Sequence, residues 1–164
     1  MKTIILLRHG EAESPGKFED HERPLTARGH SQAQFIGQAL QSRGLIPDGV
    51  IVSDAKRTVE TYKNVKDVME LNPRQEVVSS RFYLAGVDRI FEEMAAIEDD
   101  INTVLLIGHN PGWSEAIGVY TGEYESLGTG EAGLMNIEQG PWLELLGRSY
   151  QWQLKEKLGA SITR

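Results

Sequence analysis

The sequence predicts an α/β fold: a three-layer, doubly wound arrangement with a mostly parallel sheet and helices on both faces. Continuous apolar runs at Thr3-Ile4-Ile5-Leu6-Leu7 and Thr103-Val104-Leu105-Leu106-Ile107 fit strands buried on both faces, since a strand with one wet face would alternate. Helical patterns lie between the apolar runs, and alternation of strand with helix implies crossover connections between parallel strands. The two strong runs also end alike, in Arg8-His9-Gly10 and in Gly108-His109-Asn110-Pro111. The ligand crevice of an open α/β sheet lies outside the carboxyl ends of its strands, so both histidines can reach one pocket although they are far apart in the chain.

After the first strand, residues 11–23 are polar, with Pro15, Gly16 and the carboxylates Glu11, Glu13, Glu19, Asp20 and Glu22, and read as a surface loop over the strand end. Thr26 is placed to cap a helix whose apolar positions Ala33, Ile36 and Leu40 recur at helical spacing, and Gly44 supplies its stop. Val50-Ile51-Val52 is a short buried strand. Ser53 or Asp54 then caps a helix carrying Val59, Tyr62, Val65 and Met69, which puts Arg57 in its first turn, near the strand's C-terminal end. Glu76-Val77-Val78 is a third, weaker strand, followed by Arg81-Phe82-Tyr83-Leu84 and a helix with Ile90, Phe91, Met94 and Ile97. Beyond the second strong run, Asn110 and Pro111 suit an N-cap and a first-turn proline, with Trp113, Ile117 and Tyr120 on the buried stripe of the helix they start.

Past Gly122 the runs Leu134-Met135-Asn136-Ile137, Trp142-Leu143-Glu144-Leu145 and Tyr150-Gln151-Trp152-Gln153-Leu154 read as short strands near a sheet edge. Trp113, Tyr120, Trp142 and Trp152 are expected in the core, with Trp113, beside His109, also a candidate for a recognition surface. No repeat, low-complexity tract or linker divides the chain, so the expectation is one domain over 1–164 with a loose polar tail at 155–164.

The chain has no cysteine, which excludes disulfides, thiolate metal sites and cysteine nucleophiles. A formal charge of −7 opposes broad contact with a phosphate backbone, so nucleic acid is not expected as a partner. The first apolar run is too short for a signal segment, and no stretch approaches the roughly 20 apolar residues of a membrane span. The expected setting is the cytoplasm, with no membrane partner.

Arg8, His9, Arg57 and His109 each fall at or just past the end of a predicted strand. Two guanidiniums with two imidazoles suit a phosphoryl group. Planar guanidinium donors bind phosphate in bidentate fashion, and a hydrogen bond to a charged group contributes about 1.5–3 kcal/mol. An imidazole with a free ring nitrogen is a nucleophile at neutral pH, since its ordinary pKa is about 6.5 and nearby guanidiniums disfavour its protonation. The second imidazole can donate to the phosphoryl oxygens, and the helix start at Asn110-Pro111 adds amides that favour an anion.

These residues belong to four ordered motifs: Arg8-His9-Gly10; Arg23-Pro24-Leu25-Thr26 followed by Gly29; Ser53-Asp54 ahead of Arg57-Thr58 and Thr61; and Gly108-His109-Asn110-Pro111. In order and spacing, across nearly the whole chain, they resemble the histidine phosphatase superfamily, of phosphoglycerate mutase-like fold. The short length, the Arg-Pro-Leu-Thr segment and Phe82-Tyr83-Leu84-Ala85 resemble its small branch, which includes bacterial phosphohistidine phosphatases. The resemblance implies His9 as the nucleophile that becomes phosphorylated, Arg8 and Arg57 as phosphate clamps, and His109, with Asn110 beside it, as the second histidine of the phosphate pocket. It implies a two-step phosphatase that needs no metal and no cofactor. The Gly10 carbonyl is expected to receive the Nδ1 proton of His9, leaving Nε2 free to attack.

Superfamily members that cleave phosphate monoesters carry a mid-chain carboxylate that protonates the departing alkoxide. The corresponding stretch here, Ser79-Ser80-Arg81-Phe82-Tyr83-Leu84-Ala85-Gly86, has none, and Asp88 comes only at the next helix's start. Asp20, Glu11 and Asp88 are the candidate donors, against the simpler reading of each as a solvated or capping charge. Imidazole leaves phosphorus far more readily than an unprotonated alkoxide, so the missing acid favours a phosphorylated protein, carrying phosphohistidine, as substrate. The alternatives are a phosphomonoesterase for a small phosphorylated metabolite and a non-catalytic phosphate-binding adaptor.

Overall fold

The apolar run that opens the chain becomes β1 (Lys2–Arg8), buried at every residue but the last. It lies inside a six-stranded sheet in the computed structural model, which describes residues 1–160. The other strands are β2 (Gly49–Ser53), β3 (Gln75–Ser79), β4 (Thr103–Gly108), β5 (Ala132–Ile137) and β6 (Gln153–Leu158), in the order β3-β2-β4-β1-β5-β6. β3, β2, β4 and β1 run parallel, and β5 is antiparallel to both of its neighbours. The continuous apolar runs take inner positions, whereas β3, at an edge, alternates and leaves Val78 exposed. Strands covered on both faces require that difference.

Successive side chains of β1 point to opposite faces and seed two cores. Ile4 and Leu6 pack with Ile90 and Met94 of α3 (Val87–Met94), Trp113 and Ile117 of α4 (Gly112–Thr121), and Trp142 of α5 (Trp142–Leu146). Ile5 and Leu7 pack with Ile36 and Leu40 of α1 (Ala27–Ser42) and with Tyr62 and Val65 of α2 (Lys56–Met69). The result is the expected three-layer architecture. Each fully buried aliphatic side chain contributes about 1.5–3 kcal/mol, so the apolar strands dominate its stability.

Thr26 caps α1 by accepting from the Gly29 amide at 3.1 Å, and Gly44 ends the helix region with φ +67°. The start of α2 differs from expectation. Ala55 occupies its N-cap without a side-chain bond, because Ser53 and Asp54 turn to His109 and His21 instead. Val59 is exposed, and Thr58 and Thr61 share the buried face with Tyr62 and Val65. α4 opens at Gly112, one residue past Pro111, with Asn110 Oδ1 accepting from the Ser114 amide at 3.2 Å.

Two expectations are corrected. The run Trp142-Leu143-Glu144-Leu145 forms α5 rather than a strand: Trp142, Leu145 and Leu146 bury one helical face behind Pro141. Four residues are too few to separate the two periodicities. The predicted tail at 155–164 is ordered at its start, since Lys155 to Leu158 complete β6 on the open edge of β5, with Leu158 buried. The rest of that tail beyond Ala160 lies outside the described residues. Trp113, Tyr120, Trp142 and Trp152 are all core, which removes Trp113 from any recognition surface. Among the described residues, no helix is long and apolar enough to cross a membrane.

Candidate active site

Parallel pairing in register from Thr3↔Thr103 to Arg8↔Gly108 carries both histidines to the same end of the sheet. The His9 amide continues the ladder by donating to the Gly108 carbonyl at 3.1 Å, and the two imidazole centroids lie 5.4 Å apart. Both rings are buried. His9 Nδ1 lies 2.7 Å from the Gly10 carbonyl, so its proton sits there and Nε2 carries the free pair. Gly10 is held in turn by its amide, which donates to Thr61 Oγ1 at 3.0 Å.

Gly10 and Gly29 make a close backbone approach. A Cβ on Gly10 would lie 2.5 Å from the Gly29 carbonyl oxygen, and one on Gly29 would lie 2.1 Å from that of Glu11. No side chain fits there, and this contact seats the first turn of α1 against the backbone that follows His9.

Arg57, in the first turn of α2, is almost wholly buried. Its Nη1 donates to the Asp20 carbonyl at 2.7 Å and its Nη2 to the Asp20 carboxylate at 3.2 Å. The same Nη2 donates to His109 Nδ1 at 3.3 Å. On the far side of that ring, His109 Nε2 lies 2.8 Å from Ser53 Oγ. Arg8 donates from Nη1 to the Leu127 carbonyl at 3.1 Å. The Nε–H groups of Arg8 and Arg57 are buried without a hydrogen-bond partner, so both guanidiniums keep unmet donor capacity.

Arg8, His9, Arg57, His109 and Asn110 thus line one open pocket of about 410 Å³, together with Arg23 and the carboxylates Glu11 and Asp20. Asn110 faces it with its side chain committed elsewhere: Nδ2 donates to the Leu127 carbonyl at 2.6 Å, and Oδ1 accepts from the Ser114 hydroxyl at 2.7 Å. Glu11 accepts from Thr26 at 2.9 Å and from Arg28 at 3.2 Å. Asp88 lies apart, in the first turn of α3. A second depression, along α1 and lined by Arg28, Gln32, Phe35 and Gln38, contains none of these imidazoles.

Two further groups hold the site together, Arg23 in the pocket lining and Tyr83 behind it, and the sequence reading gives neither a role. Arg23 braces the loop, donating to Asp20 Oδ1 at 3.1 Å and to the Glu13 carbonyl at 2.8 Å. Its place ahead of Pro24-Leu25-Thr26 was the available signal. Tyr83 donates its hydroxyl to the Asp20 carboxylate and sets its ring edge-to-face against His109, 5.6 Å between centroids. The stretch Phe82-Tyr83-Leu84-Ala85 carries part of the branch resemblance, but it assigns the Tyr83 hydroxyl no role.

The electrostatics follow from burial among cations. Desolvation, with Arg57, Arg8 and Arg23 nearby, brings His9 down to about 4 against the opposing bond to Gly10. His109 falls to about 3, through desolvation and then the influence of His9 and Arg57. Both imidazoles are therefore neutral at pH 7. The Tyr83 hydroxyl, Arg23 and Arg57 hold the Asp20 carboxyl at about 2. Among the described residues, no group of three or more His, Cys, Asp or Glu is arranged to hold a metal ion.

A family model described as histidine phosphatase superfamily (branch 1) matches residues 4–77. An uncharacterized chloroplastic protein of Arabidopsis thaliana is 31% identical over 157 residues, spanning 90% of this chain and 72% of the relative. A candidate phosphohistidine phosphatase SixA from Nakamurella multipartitia superposes with a TM-score of 0.77 at 28% identity, covering 93% of this chain and 94% of the other. The protein histidine phosphatase SixA complexed with tungstate shares the fold at a TM-score of 0.82 and 19% identity, each chain covered to 99%. At a TM-score of 0.67 and 17% identity, the α-ribazole phosphatase of Shigella flexneri shares it too, covering 93% of this chain and 94% of that one.

Proposed function

The chain belongs to the histidine phosphatase superfamily, and we propose that it hydrolyses phosphohistidine on a protein, through a phosphohistidine formed on His9. The observation that carries this reading is the state of the pocket carboxylates. Asp20, held at about 2, is ionised at neutral pH and has no proton to give. Glu11 is bound to Thr26 and Arg28 at the start of α1. A departing alkoxide needs an acid. A substrate imidazole does not, because it leaves neutral once solvent has protonated its second ring nitrogen.

In this reading His9 Nε2 attacks phosphorus in line. The substrate P–N bond breaks with its electron pair going to the substrate ring. Arg8 and Arg57 hold the phosphoryl oxygens, Arg57 releasing the Asp20 carboxylate as the phosphoryl group arrives. Water then attacks phosphorus, and His9 leaves with the electron pair. Positioning and charge neutralisation supply most of the catalysis in so loose a transfer. Similarity to a candidate SixA at 28% identity supports the substrate class. One domain in the cytoplasm completes the proposal; pairing of β6 on β5, and of β5 on β1, supports a single unit.

The test compares turnover of a phosphohistidine peptide with a panel of small phosphate monoesters, alongside trapping of labelled phosphate on the enzyme. Faster turnover of a monoester overturns the substrate. Label that persists in His9→Ala overturns the nucleophile, and absence of a phosphoenzyme with every donor leaves the adaptor reading.

A further inference from the structure

Two contacts, one on each side of the ring, bear on which nitrogen of His109 carries the proton. Ser53 ends β2 and is fully buried. Its Oγ lies 2.8 Å from His109 Nε2 and accepts from the Ala55 amide at 3.3 Å. Across the ring, Arg57 Nη2 lies 3.3 Å from Nδ1. A guanidinium has donors and no acceptor, so Nδ1 is the unprotonated nitrogen. A neutral imidazole has one N–H, which is then on Nε2 and donates to Ser53. His9, Arg8 and Arg57 face the ring as bases or cations that oppose a second proton, Asp20 favours one, and Tyr83 contributes an uncharged edge-to-face ring.

We propose that Ser53 is a positioning residue that, by accepting from Nε2 while Arg57 donates to Nδ1, holds His109 as the Nε2–H tautomer, so that Nδ1 meets the phosphoryl group as a proton acceptor. A neutral His109 in this state cannot donate to a phosphoryl oxygen. It accepts from a phosphoryl hydroxyl, or it takes up a proton as a phosphate dianion enters. The consequence for turnover rests on the phosphatase reading above. As the water oxygen bonds to phosphorus, the bond from phosphorus to His9 Nε2 breaks and its pair returns to His9. One water proton passes to His109 Nδ1 and the other stays on phosphate, which leaves as the monohydrogen dianion. His109 then returns its proton to solvent.

The first measurement needs no turnover: long-range proton–nitrogen NMR of 15N-histidine-labelled protein, free of phosphate. A protonated Nε2 and a bare Nδ1 on His109 are expected, and the reverse pattern overturns the proposal. Titration with inorganic phosphate, in two buffers of different ionisation enthalpy and above phosphate's own second titration, is expected to show proton uptake that shrinks in Ser53→Ala. In the same variant kcat is expected to fall about 10- to 100-fold with KM nearly unchanged, at or below the low end of what a positioned proton-transfer group contributes. Ser53→Thr, which keeps the hydroxyl, is expected to restore tautomer and kcat together. Unchanged tautomer and kcat in Ser53→Ala overturn the role of Ser53. If the tautomer stands but no phosphohistidine is hydrolysed, the substrate reading alone fails.

Discussion

Asp20 grips Arg57 twice, through its backbone carbonyl at 2.7 Å and its carboxylate at 3.2 Å. A phosphoryl group arriving at Arg57 competes with that carboxylate. Asp20→Asn keeps the backbone bond and removes the charge. Asp20 is nearly half exposed, and exposed ion pairs contribute about 0.2–1 kcal/mol, so inhibition by inorganic phosphate is expected to tighten by up to about fivefold. Turnover of a phosphohistidine peptide is expected to fall less than about tenfold, since the loss of a general acid costs about 10²–10⁴. A loss in that larger range would restore Asp20 as the proton donor.

His9 at about 4 and His109 at about 3 define the acid side of the pH response. His9 stays neutral well below the ordinary imidazole value of about 6.5, so with His9 as the proposed nucleophile kcat/KM is expected to hold through pH 6 and to decline only towards pH 4. Stability moves earlier. The unfolded chain takes up protons below about pH 6.5 while the folded chain does not, so stability is complete above that value and is lost as pH falls towards about 4. For His9 the shift corresponds to a loss on the order of 3 kcal/mol, at about 1.4 kcal/mol per pKa unit. Urea unfolding at a series of pH values checks this, and His9→Asn should flatten the slope. An acid limb of kcat/KM near pH 6.5 would contradict the buried, neutral nucleophile.

Arg8, His9, Arg57 and His109 were legible because parallel strands buried on both faces leave a continuous apolar run, and the residue after such a run lies at the crevice. The Nδ1 bond of His9 to Gly10 is what the family resemblance of Arg8-His9-Gly10 implies, and the 2.7 Å contact agrees with it. The stretch Phe82-Tyr83-Leu84-Ala85 is legible as a resemblance, but the contact of Tyr83 with His109 exists only because the segment after β3 turns back over that ring. Ser53 and Asp54 both suit a helix cap, a role that residues of their type just past a strand favour; the proximity of Ser53 to His109 exists only across the β2–β4 pairing. α5 was read as a strand because Trp142 and Leu145 suit either element over so short a run.

Gly29→Ala tests the backbone contact beside Gly10 and His9. Its Cβ would sit 2.1 Å from the Glu11 carbonyl oxygen, and backbone on both sides cannot give way as a flexible side chain would. Overpacking of this kind costs typically 1–3 kcal/mol, so a loss at or above that range is expected in urea unfolding. Displacing the loop moves Gly10 and with it His9, so kcat is expected to fall in protein that remains folded. Full activity with full stability would show that α1 can shift without carrying the nucleophile.

Thr61 offers a way to separate the placing of His9 from the proposed binding of phosphate. Wholly buried on α2, its Oγ1 accepts from the Gly10 amide at 3.0 Å while donating to the Arg57 carbonyl at 2.7 Å. Thr61→Val keeps the shape and leaves the Gly10 N–H buried and unpaired, a cost of about 1–3 kcal/mol in urea unfolding. Gly10 also receives the Nδ1 proton of His9, so freeing its amide lets the imidazole tilt. The guanidiniums of Arg8 and Arg57 keep their own partners, and KM is expected to stay within about twofold while kcat falls about tenfold, as loss of a transition-state interaction alone requires. Thr61→Ser keeps the oxygen and should recover kcat ahead of stability, because the missing methyl still leaves a gap against α2's neighbours. Should Thr61→Val lose stability yet turn over at the full rate, Gly10 would be holding the fold without aiming His9.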